Sequence, residues 1–379
     1  MNCFVGFGKG EGYSLFCSLK IQSNPAMRLS EAIFCRFVLL ALIVCSCSVN
    51  KVSPLDREGV EWAEWFDIVP DGKGGESLVI LSPYTGKTDT VKVSSPMGKF
   101  VCMSSSYIAY LDAVGADSTV VGVSGIDYIS NPDIQKGYSE GRVFDIGYDA
   151  NPDYERIATL SPDLVVCYMV SSSEPPFIGK LRSLGIPVLV IYEHLENHPL
   201  ARAEYVKLFG YLTGRLTEAM TAFGSVETDY ISIRDKVKGN KKAKALLNIP
   251  YGDQWFIPGG DNYMSVLIGD AGGEVLGAVP GETSSSVISM EKAYTLSQEA
   301  DFWLNTGWCD TMEQLHGADP MFRHFPIEKV FNNTLRVTPG GGNDFWESGA
   351  FRADLVLGDL AAIFSGDTSH TYSYYREVK

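Results

Sequence analysis

A seven-residue phrase occurs twice in this chain, and the repeat constrains the fold more than any other feature. The two copies occupy positions 155–161 and 291–297, and four of the seven positions are identical. Each copy leads into an apolar stretch, at 164–168 and at 302–304, that predicts a buried strand. Self-similarity of this kind predicts two lobes that are built on the same plan.

Each copy also begins with a helix-start signal. Asn151 and Pro152 can supply the N-cap and the first-turn proline of one helix, and Ser289 can cap the other. Glu155 and Glu291 then fall in first helical turns, where the helix dipole favours a carboxylate. Such acids are common on helices, so the residues alone leave open whether these two glutamates do more than stabilise their helices.

Strand and helix signals alternate on both sides of a long helical segment. The first half has strand patterns at 100–103, 120–123, 164–168 and 186–191, with helices near 106–114 and 177–184. The second half has strand patterns at 245–249, 302–305 and 334–337, with helices near 265–271 and 351–364. This alternation predicts parallel βαβ units. The helical periodicity from Thr217 to Val237 predicts a rod of about 30 Å between the halves.

The fold class is therefore predicted to be α/β, with two Rossmann-like lobes, a long rigid interlobe helix and an N-terminal β preamble. The predicted domains are a signal peptide with a lipobox (1–47), a linker with a β-hairpin decoration (48–97), an N-terminal lobe (98–200), an interlobe helix (201–240) and a C-terminal lobe (241–379). The decoration contains two strand patterns, at 77–81 and 90–93, and we expect it to pack on the first lobe because an isolated hairpin is only marginally stable.

The beginning of the chain predicts export. Arg28 and Arg36 form a basic region before the apolar stretch 37–44, which is too short to span a bilayer. The following residues, up to Cys47, resemble a bacterial lipobox, which implies that Cys47 is lipidated. A start at Met27 fits this signal better than a start at Met1, because residues 1–26 have no periodic pattern. We expect a periplasmic protein whose only contact with the membrane is this lipid anchor.

Composition argues against several function classes. The net charge of −15 disfavours nucleic-acid binding, which needs clustered Lys and Arg. The cysteines beyond the lipobox are Cys102, Cys167 and Cys309, which are too widely spaced to suggest a zinc site or a disulfide framework. The five histidines are scattered, so a binder of bare metal is disfavoured. No Gly-x-Ser-x-Gly motif is present, which leaves a secreted hydrolase as a weaker alternative.

A set of motifs resembles the helical-backbone (class III) periplasmic binding proteins, which are the substrate-binding proteins of ABC importers for ferric siderophores, haem and cobalamin. The similarity covers roughly residues 98–365. The matching segments are 120–123, 151–157, 160–165, 185–188, 270–273 and 352–357.

This resemblance implies a role for the repeated glutamates. In similar proteins one glutamate per lobe docks into arginine pockets of a permease dimer, and Glu155 and Glu291 match those positions. The resemblance also implies a monomer without a cofactor of its own, which is not an enzyme and whose ligand is a metal chelate.

The ligand is expected in the cleft between the lobes, at the carboxyl ends of the strands. Aromatic residues in these loops suit a large, flat, partly apolar ligand. The candidate ligand-binding residues are Asp127, Tyr128, Tyr148, Tyr168, Tyr251, Trp255, Phe256, Trp308, Trp346 and Arg352. Haem would need an axial ligand such as Tyr148, Tyr168 or Tyr251. Since the loops offer few basic residues, cobalamin or a neutral hydroxamate complex is the alternative.

Overall fold

The structure is a computed structural model that describes Leu55 and residues 59–379. The predicted lipobox with Cys47 lies outside the described residues. Across the described part of the chain, no helix combines the length and the apolarity needed to cross a membrane.

The β preamble is a three-stranded antiparallel sheet, in the order β1-β2-β3. Its strands are β1 (Phe66–Pro70), β2 (Glu76–Leu81) and β3 (Thr88–Val91). The two strand patterns of the sequence correspond to β2 and β3, whereas β1 was not predicted.

A buried carboxylate attaches the preamble to the helical segment that follows the first lobe. Glu204 is completely buried and accepts hydrogen bonds from the backbone N–H groups of Glu61 (2.9 Å), Trp62 (2.7 Å) and Ala63 (2.8 Å). The Nζ atom of Lys207 also donates to Glu204, at 2.6 Å. Because Glu204 lies in this helical segment and three of its donors lie in the preamble, charge-assisted hydrogen bonds hold the two together.

The first lobe contains a parallel five-stranded sheet in the order β10-β9-β4-β5-β6. Its strands are β4 (Phe100–Cys102), β5 (Val120–Val123), β6 (Phe144–Asp145), β9 (Leu164–Cys167) and β10 (Val188–Val190). Its helices are α1 (Ser105–Ala113), α2 (Pro132–Ser139), α3 (Tyr154–Leu160) and α4 (Pro176–Ser183). A short ribbon, β7 (Gly147–Tyr148) with β8 (Asn151–Pro152), precedes α3.

Three helices connect the lobes: α5 (Pro199–Ala203), α6 (Tyr205–Thr213) and α7 (Leu216–Val237). The buried residues of α7 are Ala219, Phe223, Val226 and Tyr230, which recur at helical spacing on one face. This face packs against α6 and against α12, the last helix of the second lobe. The long interlobe helix expected at 217–237 is thus confirmed.

The second lobe contains another five-stranded sheet, in the order β13-β11-β15-β16-β17. Its strands are β11 (Ala243–Leu247), β13 (Gly273–Val275), β15 (Phe302–Leu304), β16 (Val330–Asn332) and the antiparallel edge strand β17 (Arg376–Glu377). A ribbon of β12 (Trp255–Ile257) and β14 (Ser286–Ile288) lies beside it. The helices are α8 (Tyr263–Asp270), α9 (Met290–Ser297), α10 (Met312–Ala318), α11 (Ser348–Phe351) and α12 (Ala353–Ser365).

Two local predictions are wrong. The alternating segment 334–337 is a loop, and β16 occupies the sheet position instead, with all three of its residues buried. A strand between two neighbours is buried on both faces, so it lacks the alternation used to predict strands. The N-cap of α3 is Asp153, whose side chain accepts from the Arg156 N–H, while Asn151 and Pro152 belong to β8.

We expect Glu204→Ala to lower the free energy of unfolding by about 3 kcal/mol, because three N–H groups and the Lys207 ammonium lose their acceptor. Urea unfolding followed by circular dichroism measures this loss. Glu218→Ala, an exposed acid in the first turn of α7, is the control and should change stability little. Equal effects of the two substitutions would contradict the anchoring role of Glu204.

Candidate functional site

Each sheet has a point where the strand order reverses. In the first sheet the chain runs outward from β4 through β5 and β6 and then returns to β9, so the reversal lies between β4 and β9. In the second sheet it lies between β11 and β15. Open α/β sheets bind ligands at the carboxyl ends of the strands at such reversal points. Tyr168 follows β9, Tyr251 follows β11 and Trp308 follows β15, so three of the predicted residues lie at these points.

Loops from the carboxyl ends of the two sheets contact each other. Thr338, in the loop after β16, donates a hydrogen bond to the backbone oxygen of Asp127, in the loop after β5, at 2.6 Å. A Cβ atom at Gly342 would lie only 2.2 Å from the carbonyl oxygen of Tyr128, so glycine is required at this close approach. The carboxyl edges of both sheets therefore meet across the boundary between the lobes.

A buried carboxylate strengthens this contact. Glu347 is only 2% exposed and accepts hydrogen bonds from the N–H groups of Ser130 and Asn131, each at 2.7 Å. Burial raises the pKa of Glu347 to about 8. A cavity of about 380 Å³ lies beside the contact and is lined by both lobes, including Asp112 and Arg336. The cavity adjoins the lobe boundary but is separate from the aromatic residues of the reversal points.

The first lobe presents a continuous row of side chains, which we call the first-lobe strip: Tyr128, Tyr148, Asp149, Tyr168 and His194. The rings of Tyr128 and Tyr148 are 6.0 Å apart, and each residue is 45% exposed. Tyr168 donates a hydrogen bond from its hydroxyl to Asp149 Oδ2, at 3.1 Å, and its ring lies 5.7 Å from that of His194. The strip thus runs along the carboxyl ends of β5, β6, β9 and β10.

Asp145, at the end of β6, holds two of these loops together. Its carboxylate accepts from the N–H groups of Gly125 (3.2 Å), Ile126 (3.3 Å) and Gly147 (2.9 Å). Gly125 has a φ of 69°, and a Cβ atom there would lie 2.6 Å from the Tyr148 ring. The Tyr128–Tyr148 contact therefore depends on a glycine and on one carboxylate beneath it.

A second carboxylate supports His194 from below. Glu193 is 2% exposed, and its Oε1 accepts from the Ser106 hydroxyl at 2.9 Å. Its Oε2 lies 3.5 Å from His194 Nδ1 and has no hydrogen-bond partner within the described residues. Although burial opposes ionisation, His194, Arg202 and Ser106 together hold the pKa of Glu193 below its usual value.

The second lobe contributes exposed aromatic residues. Trp308 is 65% exposed and Tyr251 is 60% exposed. Phe256 is 37% exposed and lies across the β12–β14 ribbon from Val287, which is itself more than half exposed. Exposed rings in loops at the reversal point are consistent with a large, partly apolar ligand.

Trp255 is a correction to the predicted set. It is 1% exposed, stacks with Trp303 and Phe325, and donates from its indole N–H to the Leu247 carbonyl oxygen at 2.8 Å. A ring in the hydrophobic core cannot contact a ligand in the cleft. Trp255 and Phe256 point to opposite faces of the same strand, which is why only one of them is exposed.

The remaining predicted residues lie apart from the strip. Arg352 pairs with Asp354 through two hydrogen bonds, at 2.9 and 2.7 Å, at the start of α12. Trp346 packs edge-on against Phe345, in the loop that contacts the first lobe. The side chain of Asp127 is exposed, while its backbone carries the contact with Thr338.

The loops at the carboxyl ends of the parallel strands are poor in positive charge. Within the described residues, Arg336 is the only Lys or Arg that they contain. Its guanidinium pairs with Asp344 at 2.9 Å, donates to the Ser373 carbonyl oxygen and lies over the Tyr374 ring. All of these loops except the short one after β4 contain at least one Asp or Glu, so the cleft is acidic.

The repeated glutamates lie on different lobes. Glu155 is exposed in the first turn of α3, and Glu291 is exposed in the first turn of α9. The Ser289 side chain caps α9 as predicted, and a hydrogen bond from this side chain lowers the pKa of Glu291. Both helices lead into the strand beside the reversal point, β9 in one lobe and β15 in the other, so the two acids occupy equivalent places.

Sequence reasoning missed Asp149, His194 and Glu347. Asp149 directly follows Tyr148, which was a candidate, and His194 follows the strand β10 as Tyr168 follows β9. Ligands bind at the carboxyl ends of the strands, so a search of these loops for polar as well as aromatic residues would have found both. The interlobe role of Glu347 has no sequence signal, because it depends on a contact between residues far apart in the chain.

The sequence pattern of the periplasmic binding protein family matches residues 100–327. The chain belongs to this family. Family members are substrate-binding proteins of ABC transporters rather than enzymes. The chain is 27% identical over 300 residues to an uncharacterized lipoprotein of Methanocaldococcus jannaschii, an alignment that covers 75% of this chain and 70% of the relative.

Two solved structures share the fold of this binding protein. A periplasmic heme binding protein from Pseudomonas aeruginosa is 17% identical with a TM-score of 0.57, covering 75% of this chain and 98% of that one. The triscatecholate siderophore binding protein of Bacillus subtilis, solved with ferri-bacillibactin, is 18% identical with a TM-score of 0.55, covering 76% and 98%. Both show the two-lobed class III architecture.

We expect the stability of the wild-type protein to fall as the pH rises from about 4.5 to 8, in part because of Glu347. A carboxyl group whose pKa is raised in the folded state binds more protons when folded, so it stabilises the fold at low pH and loses this contribution as it ionises. Glu347→Gln removes this titration. Melting temperatures across this pH range should therefore vary less in the variant, and an unchanged pH profile would contradict the assignment.

Proposed function

We propose that this periplasmic binding protein is anchored by lipid at Cys47, captures an iron chelate in the cleft between its lobes, and delivers the chelate to an ABC importer. The chelate would be a ferric siderophore or haem. Family membership supports the general role, and the named ligands of the two structural neighbours support the chelate class. The lipoprotein relative supports the anchor.

The observation that carries the ligand proposal is the exposure of aromatic rings on both sides of the lobe boundary. Tyr148 and Tyr168 of the first lobe, and Tyr251 and Trp308 of the second, lie in loops at the carboxyl ends of the strands. Rings in this position would bury a flat ligand between them. Tyr148, Tyr168 and Tyr251 are also the candidate axial ligands if the cargo is haem.

A corrinoid such as cobalamin is the second candidate. It is favoured by the charge of the cleft loops, whose one basic residue, Arg336, is already paired with Asp344. An anionic ligand would find no free positive charge from Lys or Arg in these loops.

Delivery would depend on Glu155 and Glu291. Their exposed carboxylates occupy equivalent helix starts on separate lobes, so they could contact the two subunits of a permease dimer at the same time. Arg–carboxylate pairs form bidentate, charge-assisted hydrogen bonds that set the register of such a contact.

Thermal-shift titration with haem, cyanocobalamin, ferrioxamine B and a ferric tris-catecholate should identify a stabilising ligand, with a shift that follows RT ln(1 + [L]/Kd). Trp308→Ala should weaken that ligand about tenfold, because an exposed aromatic anchor would be lost. Tyr138→Ala is the control, since Tyr138 is also an exposed aromatic residue (45%, against 65% for Trp308) but lies at the far end of α2. Absence of any shift across the panel would refute the chelate proposal.

Glu155→Ala and Glu291→Ala should each abolish chelate-dependent growth, or stimulation of the importer ATPase, without changing ligand affinity. The matched controls are Asp133→Ala and Glu313→Ala, which remove exposed acids from the first turns of α2 and α10. The controls should transport normally. Normal transport by both glutamate variants would remove the docking role.

A further inference from the structure

The first-lobe strip contains a carboxylate at its centre. Asp149 lies between Tyr148, its neighbour in the chain, and Tyr168, whose hydroxyl donates to Asp149 Oδ2 at 3.1 Å. Asp149 is partly exposed. An ionised carboxylate accepts several hydrogen bonds, so one bond from Tyr168 leaves Asp149 able to accept more from a ligand.

Two buried side chains beneath the strip, which we call the buried layer, have polar atoms without a hydrogen-bond partner within the described residues. Glu193 Oε2 has no hydrogen-bond partner within the described residues, and it faces His194, whose ring contacts Tyr168. The Tyr107 hydroxyl is buried, lacks a partner within the same part of the chain, and lies close enough to Glu193 and Tyr168 to interact with them electrostatically. Both side chains are buried, so this layer acts on a ligand only through His194 and Tyr168 of the strip.

The loops around the strip are also negatively charged. The cleft loops contain many carboxylates, and their single basic residue, Arg336, pairs with Asp344. A multiply anionic ligand would therefore meet repulsion from these loops, whose only Lys or Arg is the paired Arg336. A ligand with N–H donors, or with a protonated amine, would find acceptors and attraction.

We propose that Asp149 is a specificity-determining residue of the cleft, and that it selects neutral or amine-bearing chelates over chelates with several negative charges. This inference rests on the proposed function and narrows its substrate class to hydroxamate-type or corrinoid complexes. Asp149 contacts the ligand directly, while Glu193 acts through His194 as a positioning residue.

A matched pair of ligands tests the charge selection. Ferrioxamine B carries a protonated amine, and its N-acetylated form is the same ferric trihydroxamate without that charge. Calorimetry at low salt should show that the wild-type protein binds ferrioxamine B about fivefold more tightly than the acetylated form, a preference expected of one partly exposed ion pair. A ferric tris-catecholate should bind more weakly than either.

Variants then assign the preference to Asp149. Asp149→Asn should bind both hydroxamates equally, whereas Asp149→Glu should retain the preference. Asp117→Asn is the control for net charge, because Asp117 precedes β5 and so lies at the opposite edge of the sheet. The control should retain the wild-type preference.

The outcomes separate this inference from the proposed function. Tight binding of haem or of the tris-catecholate with no binding of the hydroxamates would overturn the charge selection and leave the general function intact. Equal binding of the two hydroxamates by the wild-type protein, or an unchanged preference in Asp149→Asn, would also overturn it. Failure of every chelate to bind would remove the proposed function as well.

Discussion

The cleft has its form because a buried carboxylate of one lobe binds main-chain N–H groups of the other. Glu347 accepts from Ser130 and Asn131 at the start of α2, and the same first-lobe loop carries Tyr128 of the strip. Gly342 allows the two backbones to approach at this point. Together with the Thr338–Asp127 hydrogen bond, this contact joins the lobes beside an aromatic side chain of the strip.

The order of the parallel strands places the candidate ligand-binding side chains at this boundary. Parallel strands place all of their carboxyl ends at one edge, so residues from loops far apart in the chain become neighbours. Two carboxylates hold these loops in place from beneath the strip. Asp145 accepts hydrogen bonds from backbone N–H groups, and Glu193 faces His194. The strip is thus a supported surface, although all of its residues lie in the connections that follow the strands of the main sheet.

Much of the fold was predictable because its signals are local. The helix at 217–237 is long, lacks strand patterns and was placed within one residue of its observed start. The repeated phrase correctly indicated equivalent helices in two lobes. The strand β16 was missed for a physical reason, since a strand buried on both faces does not alternate and the neighbouring segment 334–337 does.

The candidate site was only partly predictable. Trp255 and Phe256 are adjacent in β12, yet one lies in the core and the other is exposed, because alternate residues of a strand point to opposite faces. Loop position alone does not determine which way such a side chain points.

The sequence by itself determined the two-lobed α/β plan, the interlobe helix, the exposed acids at equivalent helix starts and the acidic, aromatic character of the cleft loops. These properties depend on neighbouring residues and on spacing along the chain. Only the tertiary structure decided that Tyr168 donates to Asp149, that Glu193 lies beneath His194 and that Glu347 joins the lobes. Those contacts depend on strand order, which brings together loops that have no relation in the sequence.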